Sequence, residues 1–125
     1  MNSQNKKESV LVIGASPEPS RYAFLASRML QEYGHKVVCF GKHKGECAGI
    51  DIINEFPDSE PVDTVTLYLN PKHQAQYYGK IVELKPKRVV FNPGAENDEF
   101  EALLEENGIE PIEACTLVML RTNQW

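Results

Sequence analysis

Val10-Leu11-Val12-Ile13-Gly14-Ala15-Ser16 is the stretch that decides the fold. Four consecutive aliphatic residues suit a strand covered on both faces, as in a parallel sheet lying between helices. The run ends in small residues and leads, past a Pro-containing break, to Arg21 and an amphipathic stretch. A strand that feeds a helix in this way brings the helix's unpaired N–H groups and positive dipole end over the strand, where they attract an anion. Small residues at the turn let a phosphate come close to the backbone. The stretch reads as a phosphate cradle.

Working outward, the same alternation continues to the end of the chain. Tyr22, Ala26, Met29, Leu30 and Tyr33 recur at helical spacing, and Gly34 stops that helix. Lys36–Phe40 reads as a second strand, followed from 41 to 49 by a polar loop carrying Lys42, His43 and Lys44. Ile50, Ile52 and Ile53 predict a short strand at a sheet edge, and 64–69 a fourth strand. Asn70-Pro71 pairs an N-cap with proline at the first helical position. The helix it opens carries Ala75, Tyr78, Ile81 and Val82 and stops before Pro86. Arg88–Phe91 is a fifth strand and ends in the turn Asn92-Pro93-Gly94. Asn97 caps a helix bearing Phe100, Leu103 and Leu104, with Asp98 and Glu99 in its first turn and Asn107-Gly108 as its end. A last short strand over 109–112 and a helical turn over 116–120 complete the chain. This alternation predicts an α/β fold: a three-layer, doubly wound parallel sheet of Rossmann-like type. Ligands of such sheets lie across the carboxyl ends of the strands, where strand order reverses.

A length of 125 residues fits one domain, expected over 9–125 with a flexible segment at 1–8. With 42% hydrophobic and 25% charged residues, the composition is that of a soluble globular protein. A net charge of −5 argues against a general nucleic-acid or anionic-membrane surface. No apolar run is long enough to span a membrane, and the polar start of the chain does not read as a secretory signal. Cys39, Cys47 and Cys115 are odd in number and form no CxxC pair, which suits reduced thiols in a cytoplasmic protein better than a disulfide frame or zinc site. His35, His43 and His73 lack metal-ligand spacing and read as surface residues; no metal centre is expected.

Four segments should open onto one rim: Gly14-Ala15-Ser16, Gly41-Lys42-His43, Asn70-Pro71 and Asn92-Pro93-Gly94. The dinucleotide fingerprint GxGxxG is interrupted here by Ala15-Ser16-Pro17-Glu18. Where an NAD site places Asp or Glu after the second strand, this chain has Gly41-Lys42-His43-Lys44. A basic loop there suits an extra phosphate on the ribose, as in NADP or coenzyme A. The residues alone leave those two open.

Gly14-Ala15-Ser16-Pro17 with Arg21-Tyr22, then 92–97 (Asn-Pro-Gly-Ala-Glu-Asn), then 114–118 (Ala-Cys-Thr-Leu-Val) resemble the small stand-alone CoA-binding proteins. That family's Rossmann-like domain is similar to the CoA-binding domain of the succinyl-CoA synthetase alpha subunit. The resemblance runs in order over nearly the whole chain after about residue 8. Many members carry Asn-Pro-Lys after the second strand; this chain keeps a lysine there, Lys42, in a different loop. The resemblance implies that Gly14, Ala15 and Ser16 contact the diphosphate and that Arg21 pairs with a phosphate. It implies Lys42 near the ribose phosphate or adenine, and Asn70, Pro71, Pro93 and Gly94 along the pantetheine arm.

The expected function is binding of coenzyme A or an acyl-CoA by a non-catalytic or regulatory module. The alternatives are an NADP-dependent reductase and the CoA-binding subunit of an acyl-CoA ligase assembly. The synthetases need a phosphorylated histidine and a nucleotide-grasping module, and 125 residues leave no room for either. Cys115 follows a strand and invites a nucleophile's role, but a small buried hydrophobe is the plainer reading. Tyr77-Tyr78 reads as one core and one exposed tyrosine. Val118, Met119, Leu120 and Trp125 would form a partner surface only if their own sheet did not cover them.

Overall fold

The computed structural model describes residues 6–125. Seven strands form one sheet: β1 (Ser9–Ile13), β2 (Lys36–Phe40), β3 (Glu46–Cys47), β4 (Ile50–Ile53), β5 (Thr64–Leu67), β6 (Arg88–Phe91) and β7 (Glu110–Glu113). Their order is β3-β4-β2-β1-β5-β6-β7. Every pairing is parallel except the β3–β4 hairpin at one edge. The chain winds outward from β1 in one direction and then, from β5, in the other, so the switch point lies between β1 and β5. This is the doubly wound, Rossmann-like α/β arrangement.

β1 explains why its run is apolar throughout. Val10, Leu11, Val12 and Ile13 are all fully buried. Leu11 and Ile13 pack into the layer of Ile81, Phe100 and Leu104, while Val10 and Val12 pack into that of Ala23, Leu30 and Leu120. The two layers correspond to α2 (Tyr78–Leu84) with α3 (Asp98–Glu106) on one face, and α1 (Tyr22–Glu32) with α4 (Thr116–Arg121) on the other. A strand with a helical layer on each side has no face left for polar residues.

Four boundaries differ from the sequence reading. The loop at 41–49 contains β3, a two-residue strand too short to show a period. β5 ends at Leu67, although Tyr68 N–H still donates to Ile13 O at 2.8 Å. The last strand is shifted one residue, to Glu110–Glu113. Asn70 does cap the turn that follows it, its Oδ1 accepting from Lys72 N–H at 3.1 Å, but the chain then makes two 3-10 turns, Pro71–His73 and Ala75–Tyr77, before α2 begins. Gln74 accounts for this. Its amide is turned inward and donates to Leu69 O and Ala95 O, which holds the backbone too tight for a regular α-helical start.

Of the segment 1–8, residues 1–5 lie outside the described residues. Lys7 Nζ donates to Tyr33 O at 2.8 Å, and Glu8 N–H donates to His35 Nδ1 at 3.0 Å. The Glu8 carboxylate meets Arg88 at 3.5 Å, and the Arg88 guanidinium lies over the Trp125 ring at 4.6 Å. His35 is therefore buried rather than superficial, and burial holds its pKa below the usual imidazole value. No described helix is long and apolar enough to cross a membrane.

Candidate functional site

The carboxyl ends of β1, β2, β5 and β6 surround a cavity of about 920 Å³, within the range of roughly 300–1,000 Å³ usual for small-molecule sites. Gly14, Ala15, Ser16, Arg21, Lys42, Asn70, Pro93 and Gly94 all line it. Pro71 does not; it sits one residue behind the rim, at the start of the first 3-10 turn. Four segments distant in sequence are thus brought to one opening.

Close backbone packing at the switch point explains two of the glycines. Gly14 has φ +94, and a Cβ built on it would stand 2.7 Å from Tyr68 O, where the chain leaves β5. Gly41 would bring a Cβ to 2.8 Å from Ala15 O. Three chain segments therefore touch main chain to main chain, with no side chain between them.

The first loop differs in one respect from the simple cradle. Gly14 N–H and Ala15 N–H both donate to Phe40 O, at 2.9 and 3.1 Å. They bind β2 rather than facing the cavity. Ser16 Oγ accepts from Glu18 N–H at 3.1 Å, which shapes the following turn. The helix does not follow at once, because 17–21 intervene and Arg21 is its N-cap. An arginine cannot cap as Ser, Thr, Asp or Asn would, and among the described residues no side chain satisfies the first N–H groups of α1. No acidic residue occupies that first turn, and Arg21, Tyr22 and Ala23 line the cavity. The donors available to an anion are those of the helix start and not those of the glycine turn.

Electrostatics favour an anion as well. Arg21, Lys42, His43 and His73 stand around the opening, with Glu18 as the acidic residue among the lining side chains. Among the described residues neither Arg21 nor Lys42 takes part in an ion pair. The loop that carries Lys42 is fixed from below by Asn54, whose Nδ2 donates to Gly41 O at 2.7 Å and His43 O at 3.0 Å. Sequence reasoning missed Asn54, gave His43 a place on the rim with the segment Gly41-Lys42-His43, and left His73 on the surface without a role. Proximity to a strand end was the signal for His43; nothing local marked the others.

The remaining motif residues hold the rim together. Asn92 is buried, with Nδ2 donating to Thr66 Oγ1 at 2.6 Å and Leu67 O at 2.9 Å, while Oδ1 accepts from Thr116 N–H at 2.9 Å. One amide thereby joins β5, β6 and the start of α4. Thr66 and Thr116 share a hydroxyl contact at 2.8 Å; the buried Tyr68 hydroxyl beside them has no hydrogen-bond partner among the described residues, and burial pushes its pKa up. Across the rim, Asn97 donates through Nδ2 to Gln74 Oε1 and to Tyr78 Oη. Tyr78 is half-buried against Phe100, and Tyr77 lines the cavity beside Phe40, so neither tyrosine is the exposed one. Cys115 is half-buried at the N-cap of α4 and stands outside the cavity lining. Met119 and Leu120 are buried, which leaves Val118 as the exposed apolar residue of that helix. Asp98, Glu101 and Glu113 bring carboxylate oxygens within 4.8 Å of one another, away from the cavity.

A CoA binding domain model matches residues 8–121. The chain belongs to the CoA binding domain family. Among solved structures, an uncharacterized protein is 52% identical, with 96% of this chain and 99% of that one covered and a TM-score of 0.94. A Thermus thermophilus protein is 28% identical over 96% of this chain and 92% of that one, with a TM-score of 0.87. A hypothetical protein from Pyrococcus horikoshii, at 22% identity, has the same fold: it covers 95% of this chain and 86% of its own, with a TM-score of 0.82. No curated protein matches the chain significantly.

Proposed function

We propose that this CoA binding domain takes coenzyme A or an acyl-CoA into the cavity at the carboxyl rim of the sheet. In this reading it acts as a binding or regulatory module with no catalysis of its own. The observation that carries the reading is the convergence of the uncapped α1 start, Arg21 and the Lys42 loop on one opening beside Asn70, Pro93 and Gly94. The diphosphate lies against Ser16 and the first turn of α1, where dipole, free N–H groups and Arg21 act together. Lys42 meets the phosphate on the ribose. The pantetheine arm follows the groove between Asn70 and Pro93-Gly94, and Pro71 stiffens its edge without touching the ligand. Gly14 and Ala15 serve by keeping the floor thin, since their N–H groups already bind Phe40.

A thermal-shift panel of coenzyme A, acetyl-CoA, NADP, NAD and ATP tests this. A ligand selective for the folded state stabilises it by about 2.7 kcal/mol at a hundredfold excess over its dissociation constant. Coenzyme A or its thioester should give the largest shift. A shift with NADP and none with coenzyme A would place the protein in a different class.

A further inference from the structure

Behind the cavity wall lies a buried group of polar side chains that the site does not use. Ser27 of α1, Cys39 of β2 and Cys47 of β3 are each wholly buried. Both thiols converge on the Ser27 hydroxyl, Cys47 Sγ at 3.4 Å and Cys39 Sγ at 3.6 Å. Ser27 Oγ donates to Ala23 O at 2.8 Å, and Cys47 Sγ lies 3.8 Å from the same carbonyl. Strand β4 stands between β2 and β3 in the sheet, yet the short edge hairpin turns its cysteine toward α1 so that both sulfurs reach the Ser27 hydroxyl.

The pair has a direction. A hydrogen bond from the Cys39 thiol, helped by Ser27 and the Ser16 backbone, holds the Cys47 thiol down to about 6 against the effect of burial. The same bond, followed by burial, pushes Cys39 up. Cys47 is thereby the more acidic thiol of the pair. The hairpin that carries Cys47 is short and lies at the edge of the sheet. β3 has two residues, its turn passes through Ala48 at φ +53 and Gly49 at φ +85, and an exposed bond from Gln31 Nε2 to Ala48 O ties it to α1 at 3.0 Å. Short edge elements of this kind open locally at low free-energy cost.

We propose that Cys39 and Cys47 form a modification site, a dithiol that hydrogen peroxide converts into a reversible intramolecular disulfide tying β3 to β2. The Cys47 thiolate attacks one peroxide oxygen and the O–O bond breaks. Hydroxide leaves and takes a proton to become water, and Cys47 is left as the sulfenic acid. The Cys39 sulfur then attacks Cys47, the S–O bond breaks, and the departing hydroxide takes the Cys39 proton as a second water. Two thiols have lost two electrons and two protons, and the peroxide has accepted them. Closing the sulfurs to a bond of about 2.0 Å requires the edge hairpin to move toward β2, since β4 stands between the two strands. This inference does not depend on which ligand fills the cavity.

The test uses the intact protein. It is treated with hydrogen peroxide, alkylated in urea and cut with trypsin without reduction. Lys42 and Lys44 separate the two cysteines, so a disulfide appears as peptides 37–42 and 45–72 joined together. The expected result is that joined pair, lost on treatment with dithiothreitol, with Cys115 recovered on its own peptide. In Cys39→Ser, Cys47 should stop at the sulfenic acid and be captured by a dimedone probe. If both peptides emerge separately alkylated at a peroxide level that has already oxidised Cys115, the proposal is overturned. A bond to Cys115, or a 39–47 bond that forms only when peroxide is added in urea, overturns it equally.

Discussion

Arg21 and Gly41 show how differently two residues of one rim act. Arg21 is exposed, caps nothing with its side chain and makes no ion pair among the described residues. Its replacement by alanine should weaken coenzyme A binding by roughly 1.5–3 kcal/mol, the range for hydrogen bonds to charged groups. Unfolding without ligand should change by no more than about 0.5 kcal/mol, as at an ordinary surface position. Lys42→Ala should cost less affinity, because a lysine in an exposed loop is better screened than an arginine at a helix start. Titration calorimetry on both variants checks the order; an unchanged affinity in Arg21→Ala removes it from the site. Gly41 is the reverse case. A methyl group there meets the Ala15 carbonyl at 2.8 Å, against backbone that cannot swing aside. Gly41→Ala should lower the free energy of unfolding by about 1–3 kcal/mol, as overpacking does. Urea denaturation without ligand measures it, and a neutral result would mean that the two loops are not in contact.

Between elements, single side chains do the joining. Asn92 links β5, β6 and α4 through three hydrogen bonds. In Asn92→Ala the buried Thr116 N–H loses its partner, and each such orphaned group costs about 1–3 kcal/mol. The melting temperature should fall accordingly, with Cys115 more accessible to alkylation as the start of α4 loosens. At the far edge α3 and β7 oppose each other through acids. Burial, with Glu113 next in effect, raises the Glu101 carboxyl to about 7. Its unfolded value is lower, so the folded state holds the extra proton, and stability falls as pH rises from the ordinary carboxylate range through about 7. Glu113→Gln should flatten that decline in urea melts recorded across the same window; an unaltered slope would show that the two carboxyls do not interact. These joints also mark the limit of what the sequence discloses. β1 and β6 announce themselves because burial on both faces makes the run apolar throughout, and α1 because burial on one face imposes a helical period. Asn97 announces α3 because capping is local. Gln74 and Asn54 do not, since their partners lie far along the chain, Gln74 reaching Ala95 and Asn54 reaching back to Gly41, and β3 does not because two residues show no period.

Across the whole molecule, the chain order of strands is what builds the cavity. Winding outward from β1 in both directions leaves the ends of β1 and β5 without a crossing connection above them, and the loops after β1, β2, β5 and β6 surround that gap. The fold and the position of the rim follow from strand–helix alternation alone. The glycine turn's true partner does not, because only the assembled sheet brings Phe40 O to Gly14 and Ala15. Likewise only motif resemblance separates coenzyme A from NADP in the sequence, and the CoA binding domain match over 8–121 agrees with it. The most direct measurement is titration calorimetry of coenzyme A into the native protein, with NADP as the competing ligand. Saturable binding of one coenzyme A per chain, weakened in Arg21→Ala and undisturbed by NADP, is the expected result. Heats no larger than dilution for coenzyme A, or saturable binding of NADP in its place, would contradict it.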